Sequence, residues 1–261
     1  MTNIIPFIPH DDLQKDIDRL RVEISMKFLE RDDLILQQCP AIESAFLLRF
    51  GALEYKIIDA EYKWRRLRRK LQILIAARNR QENIDEKKIE DLLDTEFQAY
   101  KEKLEEKIQE INAAFDWSKR DILTEKEAKL LKTMYRKIVK LLHPDLNLNL
   151  TEAQRELFFR AVEAYEEGNL VKLEFIYNMI DNLDESVNDA TSLLQEKQRL
   201  EEVLQSLKES IEVIKNSFPY KFKFLLADEE ACLEREEQLK TELRILDEEI
   251  ERCQKELERY V

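Results

Sequence analysis

Glycine is close to absent from this chain, with two residues in 261, and histidine is as scarce, with two. Gly51 and Gly168 stand alone, so no Gly-rich loop exists to cradle a phosphate, and a P-loop nucleotide site is excluded. His10 and His143 are far apart, and the three cysteines, Cys39, Cys232 and Cys253, form no ligand cluster. A zinc module built on Cys and His is therefore not expected. The odd number and wide spacing of the cysteines fit free thiols in a reducing compartment, and the cytoplasm is the expected location. No apolar run approaches the roughly 18–20 residues of a membrane span. Residues 1–12 lack a basic region followed by a long apolar core, so no signal peptide is expected. A formal net charge of −13 argues against a general nucleic-acid binder.

What is present is charge and leucine. Charged residues make up 38% and hydrophobic residues 44% of the chain, with five prolines. That is the composition of long helices and coiled coils, so the expected fold class is all-α. Positive charge is local, around residues 63–70 and 126–140.

Residues 124–168 carry the densest pattern. Thr124 and Glu127 form a capping box. Leu130, Leu131, Met134, Tyr135, Ile138, Leu141 and Leu142 share one side at 100° per residue, and Lys129, Lys132, Arg136 and Lys140 share the opposite side. Lys126 and Lys137 stand at its margin. Pro144 ends the helix, because it lacks an N–H and disfavours α conformation at His143. After a short loop, Thr151 and Gln154 form a second capping box. The following helix turns Leu157, Phe158, Ala161, Val162 and Tyr165 inward, and Gly168 suits its C′ position. The expected result is an antiparallel pair with a basic outer face and His143-Pro144-Asp145 at its tip.

This arrangement resembles the J-domain, the module by which DnaJ-type co-chaperones engage DnaK-type (seventy-kilodalton heat-shock) chaperones. The residues that carry the resemblance are Tyr135-Arg136-Lys137-Ile138-Val139-Lys140-Leu141-Leu142-His143-Pro144-Asp145, then Phe158 and Glu163-Ala164-Tyr165. They match a YRKLA-like run opening eight residues before the histidine, and a third helix with a phenylalanine and an EAY-like end. The match is confined to about residues 110–180. The family's first helix is not evident, and Phe115, Trp117 and Ile122 are candidates to supply its packing. Leu146 stands where a basic residue is common, Phe159 where the third helix is often charged, and Gly168–Leu173 where a QKR-like start is usual.

The resemblance implies a co-chaperone that stimulates ATP hydrolysis by a DnaK-type partner and is not itself an enzyme. Lys129, Lys132, Arg136, Lys137 and Lys140 would steer and dock the partner, with Tyr135 at the head of the run. His143, Pro144 and Asp145 would act at the partner's interdomain contact, Asp145 as the ion-pairing residue, Pro144 as the stiffener and His143 as the group that orients the loop. No catalytic residue, cofactor or metal is implied. The alternative is a coiled-coil adaptor that keeps a J-like fold without stimulating a chaperone. An enzyme built on His143 and Asp145 ranks below both, since these residues flank a proline in a turn with no nucleophile or third group near in sequence.

Three consecutive domains are expected: an N-terminal helical region with an antiparallel hairpin over 1–117, the J-like module over 118–183, and a C-terminal antiparallel hairpin over 184–261. Residues 1–9 read as an extended arm, followed by a helix carrying Leu13, Ile17, Leu20 and Ile24 and broken at Pro40. Phe46, Phe50, Leu53, Ile57, Ala60, Trp64, Leu67, Leu71 and Leu74 form a heptad seam. Within it, Tyr62–Lys70 is strongly basic and reads as an anion-binding or client-contacting patch or, preferably, as a solvated face whose arginines pair with Asp85, Glu86, Glu90, Asp91, Asp94 and Glu96 on a single return helix. Gln81–Ile84 reads as a turn and Asp181–Asp189 as a hinge, with Ser186 a candidate cap. Residues 187–217 and 224–260 form the last expected hairpin. Tyr220–Leu226, which alternates aromatics and lysines, reads as a plug at its end or as a surface for an extended client. The arms are candidates to bind a client or a second copy of the chain. The acidic C-terminal helices are candidates to fold over Lys132–Lys140.

Overall fold

The computed structural model describes residues 10–81, 85–120, 123–180 and 190–260, and among them the regular structure is all helical. The extended arm over 1–9, most of the turn over Gln81–Ile84, and the hinge over Asp181–Asp189 with Ser186 lie outside the described residues. No described helix is long and apolar enough to cross a membrane.

The chain divides into two compact units, Met1–Pro40 with Asp121–Lys221, and Ala41–Arg120 with Phe222–Val261. This corrects the expected succession of 1–117, 118–183 and 184–261. Each unit is assembled from two stretches, because its long helices pair in parallel and parallel neighbours need a long crossover.

The first unit holds α1 (His10–Asp33), α5 (Glu125–Leu142), α6 (Glu152–Glu166), α7 (Leu170–Met179) and α8 (Ala190–Asn216). Its core takes Ile17, Ile24 and Phe28 from α1, Leu131, Met134, Tyr135, Ile138 and Leu142 from α5, Phe158 and Tyr165 from α6, Leu173 and Ile176 from α7, and Leu200 and Leu204 from α8. Ion pairs Asp16–Lys197 (2.7 Å), Glu23–Lys208 (2.9 Å) and Glu30–Lys215 (2.7 Å) advance together along both chains, so α1 and α8 run parallel. The two halves of the expected hairpin, 187–217 and 224–260, fall in different units. The seam on α8 is real, but it closes on α1. A seam read from one sequence has a phase and no address.

Both capping boxes form. Thr124 Oγ1 accepts from the Glu127 N–H, and Thr151 Oγ1 from the Gln154 N–H, each with the reciprocal bond back. Gly168 closes α6 at φ +66°, with its N–H on the Tyr165 carbonyl and the Asn169 N–H on the Ala164 carbonyl. Thr151→Ala is expected to destabilise the unit by about 1 kcal/mol. The check is hydrogen exchange of the α6 amides, because both tryptophans, Trp64 and Trp117, belong to the other unit.

Pro40 does not end the first helical run. A π-helical turn, Leu34–Gln38, follows α1, with the Cys39 N–H bonded to the Leu34 carbonyl, and α2 (Cys39–Asn79) starts directly after it. The π turn carries the helical run past Pro40, whose ring nitrogen has no N–H to donate.

The second unit holds the rest of α2, α3 (Glu86–Glu96), α4 (Gln98–Ser118), α9 (Lys223–Ala227) and α10 (Glu229–Leu257). Asp85 caps α3 through the Lys88 N–H, but the single return helix breaks at Phe97. The antiparallel pairing with α2 holds: Ser44 Oγ donates to the Ala114 carbonyl (2.7 Å), and Lys107 pairs with Glu54 (2.8 Å). Gly51 permits this approach, since a Cβ there would meet Ile111 Cγ1 at 3.0 Å. The basic run meets its acidic partners: Arg66 with Glu90 and Asp94, Arg69 with Glu96, and Lys70 with Glu90. α10 runs parallel to α2, from Arg49 on Glu229 and Glu236 to Arg78 over the Tyr260 ring. In the Tyr220–Leu226 stretch, Phe222 packs on Phe46 with centroids 4.7 Å apart, and Leu225 and Leu226 join the same core; Phe224 stays exposed.

Candidate functional site

The candidate site is the end of α5 and the loop that follows. α5 buries Leu131, Met134, Tyr135, Ile138, Val139 and Leu142, while Leu130 stays half-exposed. On the outer side Lys129 is exposed and pairs with Glu125 (2.6 Å), and Lys132 reaches Asp33 of α1 (2.8 Å). Arg136 is exposed and has no ion pair among the described residues. Lys137 lies over the Tyr177 ring of α7, 4.6 Å from its centroid, and donates to the Tyr177 hydroxyl (3.1 Å). Lys140 is half-buried at the last turn. These cations, expected to share one face, are at helical spacing along one flank of α5.

The loop is locked by its own backbone. The Leu146 and Asn147 N–H groups both bond the His143 carbonyl at 3.0 Å. Asn147 Nδ2 reaches the Lys140 carbonyl at 3.0 Å, which satisfies one of the last acceptors of α5. Leu146 is buried beneath the loop. That is the reason an apolar residue stands after Asp145. Pro144 is half-buried, and Asp145 is exposed.

His143 is not at the surface. It is 6% exposed, stacked on Phe28 of α1 with centroids 3.5 Å apart, and edge-on to Phe158 at 5.0 Å. Its Nδ1 accepts the Asp145 N–H at 3.1 Å, which assigns the neutral Nε2–H tautomer. Burial, and then the charge of Arg31, push its pKa down to about 3. The orienting role expected of His143 has a geometric basis in this bond. Direct reach to a partner has none in this conformation.

Tyr135 is likewise core, at 0% exposure. It stacks on Tyr165 at 4.1 Å. Its hydroxyl donates to Asp32 Oδ2 (2.8 Å), and the Tyr165 hydroxyl donates to Asp33 Oδ1 (3.0 Å). Burial, and then the neighbouring carboxylates, push both hydroxyls far above the ordinary tyrosine range. The nine expected contact residues therefore divide. Arg136 and Asp145 are open, Lys129 is exposed but paired with Glu125 of its own helix, Lys132 and Lys137 are engaged with side chains of other helices of the unit, Lys140 and Pro144 are half-buried, and Tyr135 and His143 are covered.

The covering residues are ones sequence reasoning passed over: Phe28, Arg31, Asp32 and Asp33 on α1. Arg31 sits over the Phe28 ring (4.9 Å) and pairs with Asp32 (2.7 Å). Gln37, in the π turn, donates to the Tyr165 carbonyl at the end of α6 (2.6 Å). Phe28 continues the spacing of Leu13, Ile17 and Ile24, so periodicity contained it. The Asp32-Asp33 pair had no such signal, because acidic residues in a charged helix ordinarily face water. α1 also supplies the packing for which Phe115, Trp117 and Ile122 stood as candidates. Phe115 is half-exposed, Trp117 stacks with Arg120 (4.0 Å), and Ile122 lies outside the described residues. From α8, Arg199 Nη1 donates to the Asp145 carbonyl (2.6 Å) while its guanidinium pairs with Glu196 (2.8 Å). The carboxylate that meets Lys132 thus comes from α1 and not from a C-terminal helix.

His143 stacks on phenylalanines, and among the described residues no group of His, Cys, Asp or Glu is arranged to hold a metal ion. Set against protein-family models, curated proteins and solved structures, the chain matches none.

Proposed function

We propose that the α5–α6–α7 module serves a co-chaperone, docking on a DnaK-type chaperone and stimulating its ATP hydrolysis without catalysing any reaction itself. The observation that carries this reading is the rigid loop that presents Asp145 to solvent at the end of a cationic helix flank. Lys129 and Arg136 would act chiefly on the rate of encounter and on register, as exposed charges at the rim of an interface do. Asp145 would form the ion pair with the partner. The remaining helices would direct the activity to a client or an assembly.

The burial of His143 and Tyr135 favours a second reading, an adaptor in which the same residues only hold the first unit together. The two separate on one experiment. Single-turnover ATP hydrolysis by the DnaK-type chaperone of the same source is measured with wild type, Asp145→Asn and Arg136→Glu. Asp145 is the better probe than His143, because its side chain is exposed and its replacement leaves the core intact. The expected result is stimulation by wild type, a loss of at least roughly tenfold with Asp145→Asn, and a smaller, salt-dependent loss with Arg136→Glu. Equal rates with wild type and Asp145→Asn would sink the co-chaperone reading.

A further inference from the structure

α1 meets the site along a seam unlike the rest of the core. Phe28 caps His143, Arg31 covers Phe28, Asp32 holds Tyr135, and Asp33 holds both Tyr165 and Lys132. Two carboxylates and a guanidinium lie where a purely structural helix would place leucines. Such groups regain water when a seam opens, so parting them costs less than parting an apolar face of the same area. The segment ends in the π turn Leu34–Gln38, a local widening of the helix of the kind that accompanies functional sites. On its far side α1 is zipped to α8 by ion pairs, and α8 adds one contact of its own, Arg199 on the Asp145 carbonyl. The covered groups are two of the nine expected contacts, His143 and Tyr135, which this conformation withholds.

We infer that α1 is a strap over the His-Pro-Asp loop: the docking-competent form is one in which the Phe28–Asp33 segment has left the loop, exposing His143 and Tyr135. This rests on the co-chaperone reading and specifies how that site is controlled. The closed form dominates in the free protein, and the chaperone draws the protein into the open form by binding it better. Apparent affinity in wild type is then lowered by the fraction open, and any change that weakens the strap raises it.

The test uses the full chain. Phe28→Ala removes the stack on His143. The expected result at sub-saturating concentration is a roughly tenfold rise in single-turnover stimulation over wild type. It is abolished when Asp145→Asn is added. The His143 resonance, assigned by His10→Gln since the chain has two histidines, should titrate nearer the ordinary range in Phe28→Ala. Should Phe28→Ala not fold by circular dichroism, wild type decides alone: amides of Ser25–Asp33 should lose hydrogen-exchange protection when the chaperone and ATP are added. Stimulation equal in Phe28→Ala and wild type, or unchanged protection in a complex that does stimulate, would overturn the strap and leave the co-chaperone reading standing. No stimulation by either protein, with His143 shown to be exposed in the variant, would overturn both.

Discussion

Lowering the pH from 7.5 to 4.5 is expected to remove about 2.5 kcal/mol of stability from the first unit through His143 alone. The folded imidazole has its pKa pushed down to about 3, first by burial and then by the charge of Arg31. In the unfolded chain it returns to about 6.5. Between these values the unfolded state binds the proton and the folded state does not. The stabilisation is therefore complete above about pH 6.5 and is lost progressively as pH falls toward 3. Protonation would also set an Nδ1–H against the Asp145 N–H, which now donates to Nδ1. The measurement is urea unfolding of wild type and His143→Gln, followed by hydrogen exchange of the Ile138–Leu142 amides. Carboxylates held below the usual range by cationic donors, such as Glu30 by Lys215 and Glu196 by Arg199, are common to both proteins and cancel in the difference. The wild-type advantage at pH 7.5 should shrink by about 2.5 kcal/mol at pH 4.5. A constant difference would show that His143 is solvated in the folded state, contrary to its stack on Phe28.

Much of this unit was legible in the sequence, and the parts that were not share a physical cause. Local signals transferred intact: both capping boxes, the αL glycine after α6 and the inward residues of α5 are consequences of neighbours within four positions. The antiparallel pairing of α2 with α3 and α4 was also legible, because a short connection leaves one choice of partner and the Arg66–Asp94 charges complement each other. Parallel pairings were not. Nothing in the spacing of Leu193, Leu200, Leu204 and Leu207 distinguishes a seam for α10 from a seam for α1. The break at Phe97 and the passage through Pro40 were missed for a smaller reason, since both turn on backbone geometry that periodicity averages over. At the candidate site, sequence placed Tyr135 and His143 in a motif and read them as contacts. Their burial depends on a helix more than a hundred residues earlier, whose Asp32 and Asp33 look like surface charge until their tyrosine partners are seen. Fold class, as all-α, needed only composition; cover of the site needed tertiary structure.

Tyr135→Phe should cost about 2–3 kcal/mol, and Tyr165→Phe only about 1 kcal/mol, although each substitution deletes one buried hydroxyl. The rings stay stacked in both variants, so packing is unchanged and the difference lies with the carboxylates. Asp32 gives Oδ1 to Arg31 and Oδ2 to Tyr135. Without the tyrosine hydroxyl, Oδ2 stays in a place closed to water and has lost its donor. Asp33 is better provided. Besides Tyr165 it takes Lys132 on Oδ1 and Gln38 on Oδ2, both at 2.8 Å, so loss of one donor leaves each oxygen engaged. The sign should invert when both partners go. In an Asp32→Leu background the Tyr135 hydroxyl is itself the orphan, and Tyr135→Phe is then expected to be neutral or stabilising. Hydrogen exchange of the Leu131–Leu142 amides reads all four corners of this cycle. Equal costs for the two tyrosines, or an additive cycle at Tyr135, would mean that Asp32 is hydrated in solution and does not hold α1 on the site. The inverted sign would make the Asp32–Tyr135 bond a tie whose strength depends on both ends being present, which is the property a strap over the loop requires.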